Sequence, residues 1–172
     1  VPTPFLSSAN MATDASYRFG QHIIRASVVF FRSKLSYGFV NRKPVVQGHV
    51  LVAPLRIVNR FCDLTEDEVA DLFLSTQKIS SVIEQEFKAS SLTVAIQDGP
   101  EAGQTVPHVH VHIVPRRKGD FQENDDVYIA LEKHDKDDFQ ETEGVTTVDG
   151  GETFRSEEEM SKEAEQLARF FK

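Results

Sequence analysis

The chain has 172 residues, ordinary hydrophobic and charged fractions and a net charge of −8, which fits one compact domain and excludes a broad basic face for DNA or RNA. No apolar run approaches the roughly 20 residues of a bilayer span, so integration into a membrane is excluded too. The single cysteine, Cys62, precludes an internal disulfide and suits a reducing compartment, for which the cytoplasm is expected. A small anionic ligand stays compatible, because local field rather than net charge decides anion binding.

Residues 1–16 lack the basic and apolar regions of a secretory signal and read as a flexible leader. Residues 27–32 and 37–41 are β-rich and form a hairpin. Pro44 breaks the run because it has no ladder donor. A third strand, 49–53, ends at Pro54. Thr65 followed by Glu68 has capping-box form, and Val69, Leu72, Phe73, Thr76, Ile79, Ile83 and Phe87 behind it recur at helical spacing. A helix over 66–88 therefore lays one apolar face on a sheet.

Residues 91–97 give a fourth strand and 98–103 carry turn chemistry. A fifth strand spans 108–114, between Pro107 and Pro115. With no βαβ alternation, the fold class is α+β, a mostly antiparallel sheet with the helix on one face. Residues 120–139 are polar with anchors at Phe121, Tyr128 and Leu131, room for one short helix, and close a main domain over 17–139. Residues 140–154 have too few apolar groups to offset ordering entropy and read as a mobile acidic linker. A second capping box at Ser156 and Glu159 opens a C-terminal helix within 155–172, its stripe Met160, Ala164, Leu167 and Phe171.

The chemistry concentrates in His108-Val109-His110-Val111-His112-Ile113-Val114. Side chains on a strand alternate faces, so the three imidazoles share one side, their Cα atoms ~6.6–7 Å apart in sequence. Such a row is neither core filling nor decoration. One alternative is zinc held by two of these histidines plus His49 or a carboxylate, since three ligands from one strand converge poorly on a tetrahedral ion.

This run matches the His-φ-His-φ-His-φ-φ motif and resembles the histidine triad hydrolases and transferases. The surrounding Phe19-Gly20-Gln21-His22, Val40-Asn41-Arg42-Lys43-Pro44, Gly48-His49-Val50-Leu51-Val52 and Gln97-Asp98-Gly99-Pro100-Glu101-Ala102-Gly103-Gln104-Thr105-Val106 are similar to the fragile histidine triad branch, the dinucleoside triphosphate hydrolases. The resemblance spans 18–139 and the start of the last helix, 155–160. It implies a five-stranded antiparallel sheet with one long helix and a C-terminal helix, paired across a two-fold axis into a ten-stranded homodimer sheet.

It also implies that His110 is the nucleophile, attacking an α-phosphate to give a nucleotidyl-histidine. His112 contacts that phosphate, and His108 orients its neighbours. Gln97 sits near the scissile bridge. Gly103, Gln104, Thr105 and Val106 contact phosphate through a glycine-opened turn. Asn41 contacts ribose and His22 borders the nucleoside. Phe19, Ile24, Phe39 and Leu51 wall the base, and His49 supports the triad from behind. The implied reaction splits diadenosine triphosphate into AMP and ADP. Mg²⁺ or Mn²⁺ rides on the substrate phosphates, with no tightly bound metal. Two rival readings share these residues: cleavage of adenosine 5′-phosphosulfate through the same histidine, and a dinucleotide-binding signalling protein.

Overall fold

The computed structural model describes residues 16–137 and 154–172. The expected leader (1–16) and linker (140–154) lie outside the described residues except for Ser16 and Phe154. Seven strands and three α-helices follow in order: β1 Ser16–Phe19, β2 His22–Arg25, β3 Val29–Arg32, β4 Ser36–Val40, β5 Val50–Pro54, α1 Glu66–Glu86, β6 Ser91–Ala95, β7 Val111–Arg116, α2 Asp126–Asp137 and α3 Glu157–Ala168. Strands β3 to β7 form one antiparallel sheet of order β3-β4-β5-β7-β6. Among the described residues no helix is long and apolar enough to cross a membrane.

The two faces of this sheet follow from strand alternation. On one face Val40, Val50 and Ile113 stand opposite one another and join Leu72, Ile79 and Ile83 of α1 and Ala164 and Leu167 of α3 in the main core. Each fully buried Leu or Ile there contributes about 1.5–3 kcal/mol. Gly38 lets α1 close in, since a Cβ there would stand 2.8 Å from Ile79. On the other face a cross-strand row runs Phe39, Leu51, His112, Ala95. That face carries the aromatic cluster around Phe19 and Tyr37.

Both capping boxes form, Thr65 with Glu68 and Ser156 with Glu159. Helix α1 stops at Glu86 rather than at 88. Lys88 turns left-handed at φ 51°, and the Ala89 N–H reaches the Glu84 carbonyl, the bonding of a Schellman stop. Phe73 does not join the buried stripe. It stays 44% exposed, edge-on to Phe61. Tyr128 is likewise exposed rather than an anchor, whereas Val127 and Leu131 of α2 are buried with Val114.

Three strand readings need correction. Residues 16–25 form a hairpin that was read as leader and unassigned chain, closed by a two-residue turn with Gly20 at φ 56°. Residues 26–28 are a 3₁₀ turn rather than the start of β3. The triad strand pairs over Val111–Arg116 and not over 108–114. Upstream, the Val109 N–H bonds the Val58 carbonyl instead of a ladder partner. Downstream, Pro115 lies past the three residues that pair with β5, so its missing N–H removes nothing from that ladder.

Candidate active site

The three histidines are all buried on the aromatic face, and backbone groups fix where their protons sit. His108 stands between the Pro54 carbonyl, 2.9 Å from Nε2, and the Gly20 N–H, 3.1 Å from Nδ1. A carbonyl only accepts and an amide N–H only donates, so Nε2 carries the proton and the ring is neutral. Burial pushes its pKa down to about 4. Gly20 makes this possible: besides its left-handed φ, a Cβ there would lie 2.7 Å from Val106. His108 thereby staples the β1–β2 turn to the end of β5.

His110 donates from Nδ1 to the His108 carbonyl at 2.7 Å, which leaves the imidazole lone pair on Nε2. The second proton address comes through His49. The Val45 N–H donates to His49 Nδ1 at 3.2 Å, so the His49 proton sits on Nε2 and is given to His112 Nδ1 at 3.0 Å. His112 must then hold its own proton on Nε2. The rings of His110 and His112 have centroids 4.9 Å apart, so an imidazole lone pair and an imidazole N–H stand side by side. A nucleophile beside a donor is what displacement at an anionic phosphorus requires.

The other expected residues divide into two groups. Phe19, His22, Ile24, Phe39, Asn41 and Leu51 all line one cleft of about 740 Å³, a volume suited to a small molecule. Phe19 bridges cleft and triad: its ring meets His110 edge-on at 5.0 Å. The second group, Gln97 and Gly103 to Val106, lies on the loop after β6. Gly103, at φ 92°, leaves room for the Gln97 amide, which a Cβ there would meet at 2.6 Å. Gln97 Oε1 and Thr105 Oγ1 are buried without a protein partner.

Phosphate contact through the amides of Gly103 and Gln104 is not supported. Their N–H groups bond the carbonyls of Pro100 and Gly99. The Gln104 side chain braces the loop, accepting from the Gly99 N–H and donating to the Asn59 carbonyl. Val106 is wholly buried against the Phe19 cluster. Within that segment the side chain that keeps a buried, unpartnered polar atom is Thr105.

A metal set does not assemble from these rings. Both nitrogens of His108 and of His49 are bonded as described, and among the described residues no group of three His, Cys, Asp or Glu is arranged to hold an ion. Sequence reasoning missed Val45, whose N–H sets the His112 tautomer. It also missed most of the outer cleft: Val28, Val40, Arg155, Ser156, Glu157 and Met160 line it as well. The only sequence signal for the last four was the resemblance at 155–160.

Three tautomer-fixed histidines on the extended segment that leads into and enters β7, beside a nucleoside-sized cleft, define a histidine triad protein. The chain belongs to that family: the family model described as the HIT domain matches residues 24–119. It is 49% identical over 160 residues, 93% of this chain and 87% of the relative, to the bifunctional bis(5'-adenosyl)-triphosphatase/adenylylsulfatase of Arabidopsis thaliana. It is 48% identical over 153 residues, 89% of this chain and 91% of the relative, to the bis(5'-adenosyl)-triphosphatase of Dictyostelium discoideum. Among solved structures it resembles the Plasmodium falciparum diadenosine triphosphate hydrolase in complex with cyclomarin A, with a TM-score of 0.70 and 32% identity over 91% of this chain and 84% of that one.

Proposed function

We propose that this chain is a hydrolase that splits diadenosine triphosphate into AMP and ADP through a covalent nucleotidyl-histidine. The observation that carries the reading is the His110 Nδ1 bond to the His108 carbonyl, which aims the Nε2 lone pair outward beside the cleft. One nucleoside occupies the cleft, its base against Phe19, Ile24, Phe39 and Leu51, with Asn41 at the ribose and His22 at the rim. His110 Nε2 attacks the α-phosphorus, a P–N bond forms, and the bridging P–O bond breaks with its electron pair leaving on ADP. Water then attacks the same phosphorus, the P–N bond breaks, and AMP departs with the imidazole restored.

His112 donates Nε2–H to a phosphate oxygen in both steps, and His49 holds it in that tautomer. The Gln97 amide and the Thr105 hydroxyl address the bridging and distal oxygens. His108 positions the strand without touching the substrate. Mg²⁺ or Mn²⁺ bound to the substrate phosphates would supply charge neutralisation for the leaving ADP. The names of the two relatives support the substrate. The adenylylsulfatase activity named for the Arabidopsis relative favours a second substrate, adenosine 5′-phosphosulfate, which needs the same adenylyl-histidine and only a different leaving group.

The working unit is a homodimer. Strand β6 is an edge of the sheet, and Val94 on it, with Phe73 and Leu74 on α1, leaves apolar surface exposed. A second copy pairing there gives ten continuous strands and covers that surface. The lone cysteine suits a cytoplasmic setting.

The test compares AMP and ADP release from diadenosine triphosphate by wild type and His110→Asn, in metal-stripped buffer with Mg²⁺ restored. Loss of kcat by about 10⁴-fold or more in a folded variant is expected. Cleavage at the wild-type rate by His110→Asn sinks the mechanism.

A further inference from the structure

The cleft has an outer wall that does not belong to the segment matched as the HIT domain. The β1–β2 hairpin and residues within 24–119 supply the rest of it, but Arg155, Ser156, Glu157 and Met160, beyond that segment, close one side. These residues lead into α3 and form its first turn, and they are held by Arg155. The Arg155 N–H donates to the Arg42 carbonyl at 3.0 Å. Its guanidinium donates to Glu163 at 2.7 Å and to the carbonyls of Asn41 and Glu159 at 3.5 and 3.4 Å. The side chains of this ion pair are only 19% and 10% exposed. Across the mouth, Arg25 of the β1–β2 hairpin donates to Glu157 at 2.8 Å.

We propose that Arg155 is a positioning residue for nucleoside binding, fixing the α3 wall and the Asn41 backbone as one side of the cleft. This rests on the reading of that cleft as the nucleoside site. A nearly buried ion pair contributes little net stability against an apolar replacement of similar volume, so stability alone is a weak reason for its place here. Direction is a better one. A planar fork bonded at once to a carboxylate and two carbonyls sets both position and angle, and one of those carbonyls belongs to Asn41, the residue read as meeting the ribose. The ligand class is a nucleoside 5′-phosphate, as product or as one half of the dinucleotide. Such an interaction acts equally on bound substrate and transition state, and so appears in KM and not in kcat.

The experiment measures AMP binding by calorimetry and diadenosine triphosphate kinetics for wild type, Arg155→Met, Glu163→Gln and Phe171→Leu. The last variant loosens α3 at its far end, where Phe171 packs on Phe30 and Phe31. Arg155→Met should raise the AMP Kd and the KM together by about tenfold, with kcat within about twofold. Glu163→Gln should shift both the same way by less, and Phe171→Leu should lower Tm and leave Kd unmoved. An Arg155→Met protein that loses Tm with Kd unchanged, or loses kcat alone, overturns the inference. If wild type binds AMP, Arg155→Met weakens that binding, and neither cleaves the dinucleotide, the inference stands and the hydrolase reading falls. A wild type that cleaves but binds no AMP overturns the inference alone.

Discussion

The triad and the nucleoside cleft lie against each other and are held by different forces. In the triad the proton positions are anchored on main-chain groups, the carbonyls of Pro54 and His108 and the N–H groups of Gly20 and Val45, with His49 relaying the last of these to His112. Around the cleft mouth the decisive contacts run between charged side chains, Arg25 with Glu157 and Arg155 with Glu163. Main-chain groups do not titrate and are indifferent to salt, so the tautomers of the neutral triad rings are fixed with the fold. Both clasps respond to substitution, and the exposed Arg25–Glu157 pair responds to salt as well. The chemistry is therefore rigidly specified while the grip on the nucleoside is adjustable.

The largest effect that sharpens this contrast is expected at His112. His112→Asn removes a donor aimed at developing charge and should cut kcat by about 10²- to 10³-fold with little change in AMP binding. Steady-state kinetics beside calorimetry would check it, and a change confined to Kd would blur the boundary between the regions.

Next comes pH. His108 sits near 4 in the fold because burial disfavours its charged form, against about 6.5 unfolded. Between those values the unfolded chain binds the extra proton, so stability falls as pH drops from about 6.5 to 4 and this contribution then levels off. The step amounts to about 3 kcal/mol at most. Glu68 and Asp120, lowered to about 2 by their bonds to Arg56 and Arg116, act in another window. Their stabilisation is intact above the unfolded carboxyl range and is lost as pH falls from there toward 2. Denaturant titrations between pH 7 and 2 should resolve the two windows, and His108→Gln should erase the upper one.

The smallest effect belongs to the exposed clasp. Arg25→Ala should raise KM by no more than about fivefold, since such surface pairs are worth roughly 0–1 kcal/mol, and kcat should hold. The exchange Arg25→Glu with Glu157→Arg should restore KM at low salt. A kcat defect in either variant would mean that the hairpin acts on the triad rather than on the cleft.

Much of the fold was legible because it depends on local pattern. The helical stripe of α1, the two capping boxes and the alternation of His108, His110 and His112 each follow from spacing, and each is present. Two strand ends were misplaced because prolines were read as breakers, whereas Pro54 and Pro115 lie within β5 and β7, opposite Ser36 and Leu92. The β1–β2 hairpin was missed because it has only four residues a side and turns on Gly20-Gln21 rather than on an Asn-Gly pair. At the site, residue types were readable but proton positions were not. The tautomer of His112 depends on Val45, an aliphatic residue whose side chain says nothing about its backbone N–H. The contacts of Arg155 were likewise unreadable beyond the resemblance at 155–160, because its partners Asn41 and Arg42 lie more than a hundred residues away in sequence.

Phe19 shows where adjustment must stop. One ring forms part of the nucleoside wall and also borders the nucleophile at 5.0 Å, so a substitution that refits the pocket to another base also alters the surroundings of the attacking nitrogen. Changes on the far wall, at Ser156 or Met160, carry no such penalty. A change of substrate preference is thereby easier to make on the α3 wall, whereas at the shared aromatic ring recognition and rate change together.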